Sequence, residues 1–236
     1  YDFYHINEQL EPVEVFHLEP SEAFLYTNYY GLKQQCVAQL ATQYGKQLIV
    51  DNAQAFFAEP LKGIDTFYSA RKFFGVADGA YLYTDKLLDI ELKQDQSYQR
   101  MSHLLIRADI GAEAGYNEFR KNDDSLIDEP IKKMSRLTEK ILCSIDYDAI
   151  KVERRKIYEQ LYEQLNQTNL LNIILDDMAV PMVYPYLTKD NTLRQKLITE
   201  RIYIPMYWSN IGDNIGLESQ LKSHLLSIPL KSQIIS

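Results

Sequence analysis

The sequence predicts an α/β fold: a mainly parallel sheet in a large domain, followed by a smaller C-terminal α+β domain. Three observations carry that expectation. The aromatic and aliphatic run from Phe24 to Tyr30 closes at Gly31, as a buried strand entering a turn does. Cys36, Val37, Leu40, Ala41 and Tyr44 then recur at helical spacing, with Gly45 placed for a left-handed C-cap. Leu48-Ile49-Val50 follows as a short continuous apolar run, of the kind found in parallel strands covered on both faces, and ends at Asp51. Strand, helix over about 33–44, strand is a βαβ unit.

Two further apolar stretches, Thr66–Ser69 and Ala80–Tyr83, read as strands flanking a loop with one lysine, Lys72, and two glycines, Gly75 and Gly79. Beyond Asp85 the pattern becomes charged and helical. One amphipathic series runs through Ile131, Met134, Leu137 and Ile141 and another through Ile150, Ile157, Leu161 and Leu165, which predicts paired long helices. From Asn172 short strands are expected at Ile173–Leu175, Met182–Tyr184 and Ile202–Ile204, with a helix over about 192–200. The implied division is a large domain over 1–125, with the long helices and small domain over 126–236.

The chain has 236 residues, 46% hydrophobic and 25% charged, which suits a folded globular core. It has 25 basic residues scattered among 33 acidic ones, a net charge of −8, so no phosphate-binding face for nucleic acid is expected. No apolar run approaches the ~20 residues that span a bilayer, and the N-terminus lacks a signal-peptide pattern. Cys36 and Cys143 are far apart and His5, His17, His103 and His224 are dispersed, so neither a disulfide framework nor a metal site is expected. Two buried, reduced thiols and a cytoplasmic location fit this usage. The chain begins with Tyr and reads like a piece of a longer one.

In open α/β sheets ligands bind beyond the carboxyl ends of the strands, so Asp51 and the polar residues near it are the first candidates for chemistry. Alone, Asp51 also suits a cap, Ser69 a turn, and Lys72 plain surface charge. Arg100, Arg107 and Arg120 suit either a nucleotide diphosphate or a solvated helix face. Neither GxGxxG nor GxxxxGK[ST] occurs.

Together, an acid closing one strand and a Ser-x-x-Lys closing a later one resemble the fold-type I pyridoxal-phosphate enzymes. Phe24–Gln54, ending in Asp51-Asn52-Ala53-Gln54, resembles the corresponding segment of the DegT/DnrJ/EryC1/StrS sugar aminotransferases, with its Tyr-Gly turn and Asp-x-Ala-Gln motif. SARKFFGVADGAYL, Ser69–Leu82, is similar to that family's lysine loop. Glu153–Tyr158 resembles its Arg-Arg-x-x-x-Tyr helix, and Leu226-Ser227-Ile228-Pro229-Leu230 its closing Leu-Ser-Leu-Pro stretch.

The resemblance implies pyridoxal 5'-phosphate as cofactor and Lys72 as the catalytic amine that carries it. Asp51 would pair with the pyridine nitrogen, Ala53 would pack on a ring face, Gln54 would reach the phenolic oxygen, and Ser69 would donate to the phosphate. Asn117, in Gly115–Arg120, would reach the phosphate of a neighbouring subunit's cofactor, or else lie on a surface helix. Trp208 would approach the substrate or sit in the core. The spacing from Asp51 to Lys72 is shorter than the family's, Asn52 stands where a small residue is usual, and the family's phosphate loop and ring-stacking aromatic would fall before Tyr1. The implied activity is amino transfer to the keto group of a nucleotide-linked sugar, with glutamate as donor, in polysaccharide or antibiotic sugar synthesis, by a homodimer. A related dehydratase is the second enzyme reading, and Lys72 argues against it. A catalytically silent scaffold of the same fold is the alternative from another class.

Overall fold

The computed structural model describes residues 1–207 and 216–231. The predicted βαβ unit forms from β1 (Phe24–Thr27), α1 (Gln34–Tyr44) and β2 (Leu48–Asn52), and the sheet continues through β3 (Asp65–Ser69) to β4 (Ala80–Tyr83). The order is β1-β2-β3-β4, with β1–β2 and β2–β3 parallel and β4 antiparallel to β3. The expected mainly parallel sheet is present.

The strands are covered unequally. Phe24, Tyr26, Leu48, Val50, Thr66 and Tyr68 are buried on one face, where α1 contributes Cys36, Val37 and Leu40. On the other face Ile49 and Phe67 are half-buried and Leu25 is 47% exposed, so the expectation of strands covered on both faces is corrected.

β1 ends at Thr27, earlier than its apolar run. Asn28 is fully buried; its N–H donates to the Asp51 carbonyl (3.0 Å) and its Oδ1 accepts from the Lys33 N–H (3.0 Å). An asparagine that satisfies the backbone in this way favours a turn over further strand. Tyr30 and Gly31 then take left-handed conformations, φ 57° and 72°.

The helical reading beyond Asp85 is also corrected. Residues 85–97 form no helix, because Lys93 and Asp95 pair their backbones with Lys133, and that long-range pairing overrides local propensity. Helix resumes as α2 (Ser102–Asp109) and α3 (Ala112–Ser125), broken at Gly111, whose φ is +140°. The series expected from Ile131 becomes helical only as α4 (Arg136–Cys143), capped by the Ser135 side chain on the Thr138 N–H (3.1 Å). Its partner α5 (Tyr147–Leu165) is long, so the expected pair is one short helix and one long one. Cys36 is buried but Cys143 is exposed.

In the C-terminal part β5 (Val183–Leu187) pairs antiparallel with β6 (Leu225–Pro229), beside α6 (Leu193–Thr199) and α7 (Gly216–His224). Ile173–Leu175 and Ile202–Ile204 are not strands. The Asn169 side chain occupies the edge of β5, accepting from Leu187 N–H (2.9 Å) and donating to the Pro185 carbonyl (2.9 Å), and the Ile202 N–H folds back to the Leu197 carbonyl (2.8 Å). A continuous apolar cluster joins Tyr26 and Val50 to Ile157, Tyr158, Tyr184 and Leu226, with the Tyr158 and Tyr184 rings 5.1 Å apart. Among the described residues no helix is long and apolar enough to cross a membrane.

Candidate active site

Thr27, Asp51 and Phe67 are opposite one another in the parallel register, so their side chains share the half-covered face at the carboxyl ends of β1, β2 and β3. Ser69, two residues beyond Phe67, lies on that face at the end of β3. The Asp51 carboxylate accepts from the Ala53 N–H (2.7 Å) and, at the limit of hydrogen bonding, from the Thr27 hydroxyl (3.5 Å). Burial raises its pKa above the ordinary carboxylate value, opposed by the Ala53 N–H, the Thr27 hydroxyl and the positive charge of Lys72.

Lys72 stands in the 3-10 turn Ala70–Lys72 directly after β3. Its side chain is exposed and its Nζ lies 5.9 Å from the centroid of the Tyr207 ring. Among the described residues neither Asp51 nor Lys72 has an ion-pair partner within 4.0 Å, although each lies in the other's field. An anion and a cation therefore face the same space without meeting.

Gln54 lies beside them, its Oε1 accepting from the Tyr30 N–H (3.1 Å), which leaves the amide –NH₂ as the end free to reach a ligand oxygen. Ala53 is half-buried, and its role visible in the structure is through its backbone, which holds the Asp51 carboxylate. The structure thus brings Asp51, Ala53, Gln54, Ser69 and Lys72 to one edge. Asn117 is not among them: it is exposed on α3.

Sequence reasoning passed over Tyr207 and quoted Arg154 within the Glu153–Tyr158 motif without giving it a role. Tyr207, half-buried, with desolvation pushing its hydroxyl up to about 12, contributes its ring both to Lys72 and to Tyr30, whose centroid is 5.8 Å away. Its only sequence signal is adjacency to Trp208, which lies outside the described residues. Arg154 places its guanidinium 4.9 Å from the Phe73 ring, next to Lys72, and donates from Nε to the Pro181 carbonyl (2.9 Å). Burial lowers its pKa to about 10. Arg155 donates to the Asp176 and Ala179 carbonyls, so the pair of arginines ties α5 to the segment before β5.

Arg100, a candidate for phosphate or solvent, is instead held between Asp78 and Asp95. His103 is buried with its pKa lowered by desolvation, and His5 meets Glu218 at 3.3 Å. Among the described residues no cluster of His, Cys, Asp and Glu could hold a metal.

No protein-family model matches the chain, and no curated protein sequence matches it. Solved structures do. NtdA from Bacillus subtilis with bound cofactor PMP aligns over 97% of this chain and 57% of its own, at 15% identity and TM-score 0.54. DesV from S. venezuelae aligns over 92% of this chain and 63% of its own, at 16% identity and TM-score 0.51. The chain has the fold of pyridoxal-phosphate-dependent aminotransferases. A DegT DnrJ EryC1 StrS aminotransferase from Brucella abortus also matches, over 89% of this chain and 59% of its own, with 12% identity and TM-score 0.48. The chain spans about six-tenths of the length of these structures.

The donor set suits that aminotransferase cofactor. A half-buried carboxylate with no cation in contact is suited to a protonated pyridine nitrogen, and a primary amine facing the same space is suited to an aldehyde. Ser69 adds a hydroxyl at the adjacent strand end, with no hydrogen-bond partner among the described residues.

Proposed function

We propose that this chain carries the lysine and aspartate of a pyridoxal-phosphate-dependent aminotransferase whose acceptor is a keto-sugar linked to a nucleotide, with glutamate as donor. The observation that supports this reading is the pair Asp51 and Lys72, at neighbouring strand ends, in each other's field and unpaired. When bound, pyridoxal phosphate supplies an electron sink for the carbon that loses or gains the amine.

The chain's own residues divide the rest of the work. Asp51, held by the Ala53 N–H, favours the charged form of the pyridine nitrogen. Lys72 would hold the cofactor through its primary amine and, when free of it, would move a proton at the substrate carbon. The Gln54 amide would meet the ring oxygen, the small Ala53 side chain would leave room for the ring, and the Ser69 hydroxyl would donate to the phosphate. The Tyr207 ring, itself backed by Tyr30, lies beside Lys72 and would line one side of the cofactor space. Asn117 serves the cofactor of a second subunit in a homodimer.

The test is to add pyridoxal phosphate to the purified chain, reduce with borohydride and map the modified peptide by mass. Attachment at Lys72, lost in Lys72→Ala, is expected. Absence of any visible absorbance band, or a band unaltered in Lys72→Ala, would overturn the reading.

A further inference from the structure

The loop that carries Lys72 is closed by the Ala70 N–H on the Gly79 carbonyl (3.0 Å) and by the β3–β4 pair Ser69 and Ala80. Its return limb, six residues after the lysine, carries Asp78, a buried carboxylate no proposed chemistry uses. Asp78 Oδ1 accepts from the Thr138 hydroxyl (2.5 Å), and Oδ2 accepts from the Arg100 guanidinium, which also donates to Asp95. Thr138 belongs to α4 and Arg100 to the 3-10 turn Tyr98–Arg100, so two distant elements converge on one side chain of the loop. Next to it, Gly79 has φ +110°, and a Cβ there would lie 2.9 Å from Thr138 Cγ2. On the other flank Asn122 of α3 donates to the Ala77 carbonyl (3.1 Å) and Arg71 pairs with Asp123 (2.8 Å).

We propose that Arg100, Asp78 and Thr138 form a positioning clamp that holds the Lys72 loop at a set distance from Asp51. The inference deepens the proposed cofactor reading and rests on it for its purpose, though the clamp acts on the loop itself. None of the three touches the cofactor space directly. They act through Lys72. A surface ion pair would hold little, whereas this acid is desolvated, charge-paired and hydrogen-bonded at both oxygens, so either partner's loss leaves a buried group unmatched. One terminal nitrogen of Arg100 donates to both Asp78 and Asp95, an arrangement that a lysine ammonium can also supply.

Two readouts test the clamp. The first is the fraction of pyridoxal phosphate fixed by borohydride at Lys72, mapped by mass. It should fall at least tenfold in Arg100→Met and in Asp78→Asn, and Arg100→Lys should restore most of it. The second needs no cofactor: the rate at which a soluble acylating reagent labels Lys72, relative to exposed Lys46 in the same sample. Freed from the Tyr207 ring, Lys72 should label at least threefold faster in both variants and at the wild-type rate in Arg100→Lys. Should Arg100→Met not fold, Asp78→Asn, which keeps the shape of the side chain, carries both measurements. Unchanged labelling ratios in the folded variants would overturn the clamp. A wild-type chain that takes no pyridoxal phosphate at Lys72, with labelling ratios that still respond, would overturn the cofactor reading and leave the clamp standing.

Discussion

Burial raises the Asp51 carboxyl, so in the unliganded fold its negative charge is held at a cost that a bound cation would offset. The sign follows from linkage. With the folded value above the unfolded one, the penalty is complete at pH above the folded value and vanishes below the unfolded value near 3.8. Asp51→Asn should therefore raise the thermal midpoint of the cofactor-free chain at neutral pH. The gap to wild type should close as the pH is lowered through the acid range, as read by calorimetry in a pH series. The same substitution should weaken pyridoxal phosphate retention at least tenfold, about 1.4 kcal/mol, since the amide cannot favour the charged ring. A stabilised variant that still binds normally would refute the role given to Asp51. The position of this acid was legible because an apolar run ending in a polar residue marks a strand end. Tyr207 was not, because its approach to Lys72 spans 135 positions of chain and depends on how the C-terminal part packs.

The elements follow local rules wherever local signals act alone. α1, with its helical apolar series and Gly45 at its end, and β2, with its short apolar run, were legible nearly to the residue. Prediction failed where a single polar side chain or a remote backbone competed with the local pattern: Asn28 ends β1, Asn169 occupies the edge of β5 while Ile173–Leu175 forms no strand, and Lys133 pairs with residues 93 and 95. The turn from β1 into α1 makes a sharp test. At Gly31 φ is +72°, and a Cβ would sit 2.8 Å from the backbone carbonyl oxygen of Val180, an atom that cannot swing aside. Gly31→Ala should destabilise the chain by about 2–3 kcal/mol, from left-handed strain plus the clash. That corresponds to roughly 5–10 °C in thermal midpoint for a chain of this size. Because the neighbouring Tyr30 N–H holds Gln54, the substitution should also loosen the amide beside the proposed cofactor space. A midpoint within about 1 °C of wild type would show that the segment around Val180 yields, contrary to its tether by Arg154 and Arg155.

At the scale of the whole molecule the question is whether Asn117, expected either to reach a neighbouring subunit's cofactor or to lie on a surface helix, is placed to do the first. The inner side of α3 is spent on its own subunit: Asn122 reaches the lysine loop, and Gly115 sits so close to α2 that a Cβ would lie 2.8 Å from the His103 carbonyl oxygen. Asn117, five residues before Asn122, is about 140° round the helix and faces outward. It is flanked by Tyr116 and Phe119, 55% and 39% exposed. An outward amide between exposed aromatic rings suits contact with a second copy better than with its own site. If subunits exchange sites in a closed dimer, Lys72→Ala and Asn117→Ala chains are complementary, since one mixed dimer rebuilds one site with both groups intact. Random reassociation of an equal mixture makes half the dimers mixed and restores one of their two sites, so about a quarter of wild-type cofactor retention should return. Chains refolded separately and then combined should show none of this gain. If Asn117→Ala alone retains pyridoxal phosphate like wild type, or if the mixture gives only the mean of its parents, Asn117 is a surface residue and each subunit's site is its own.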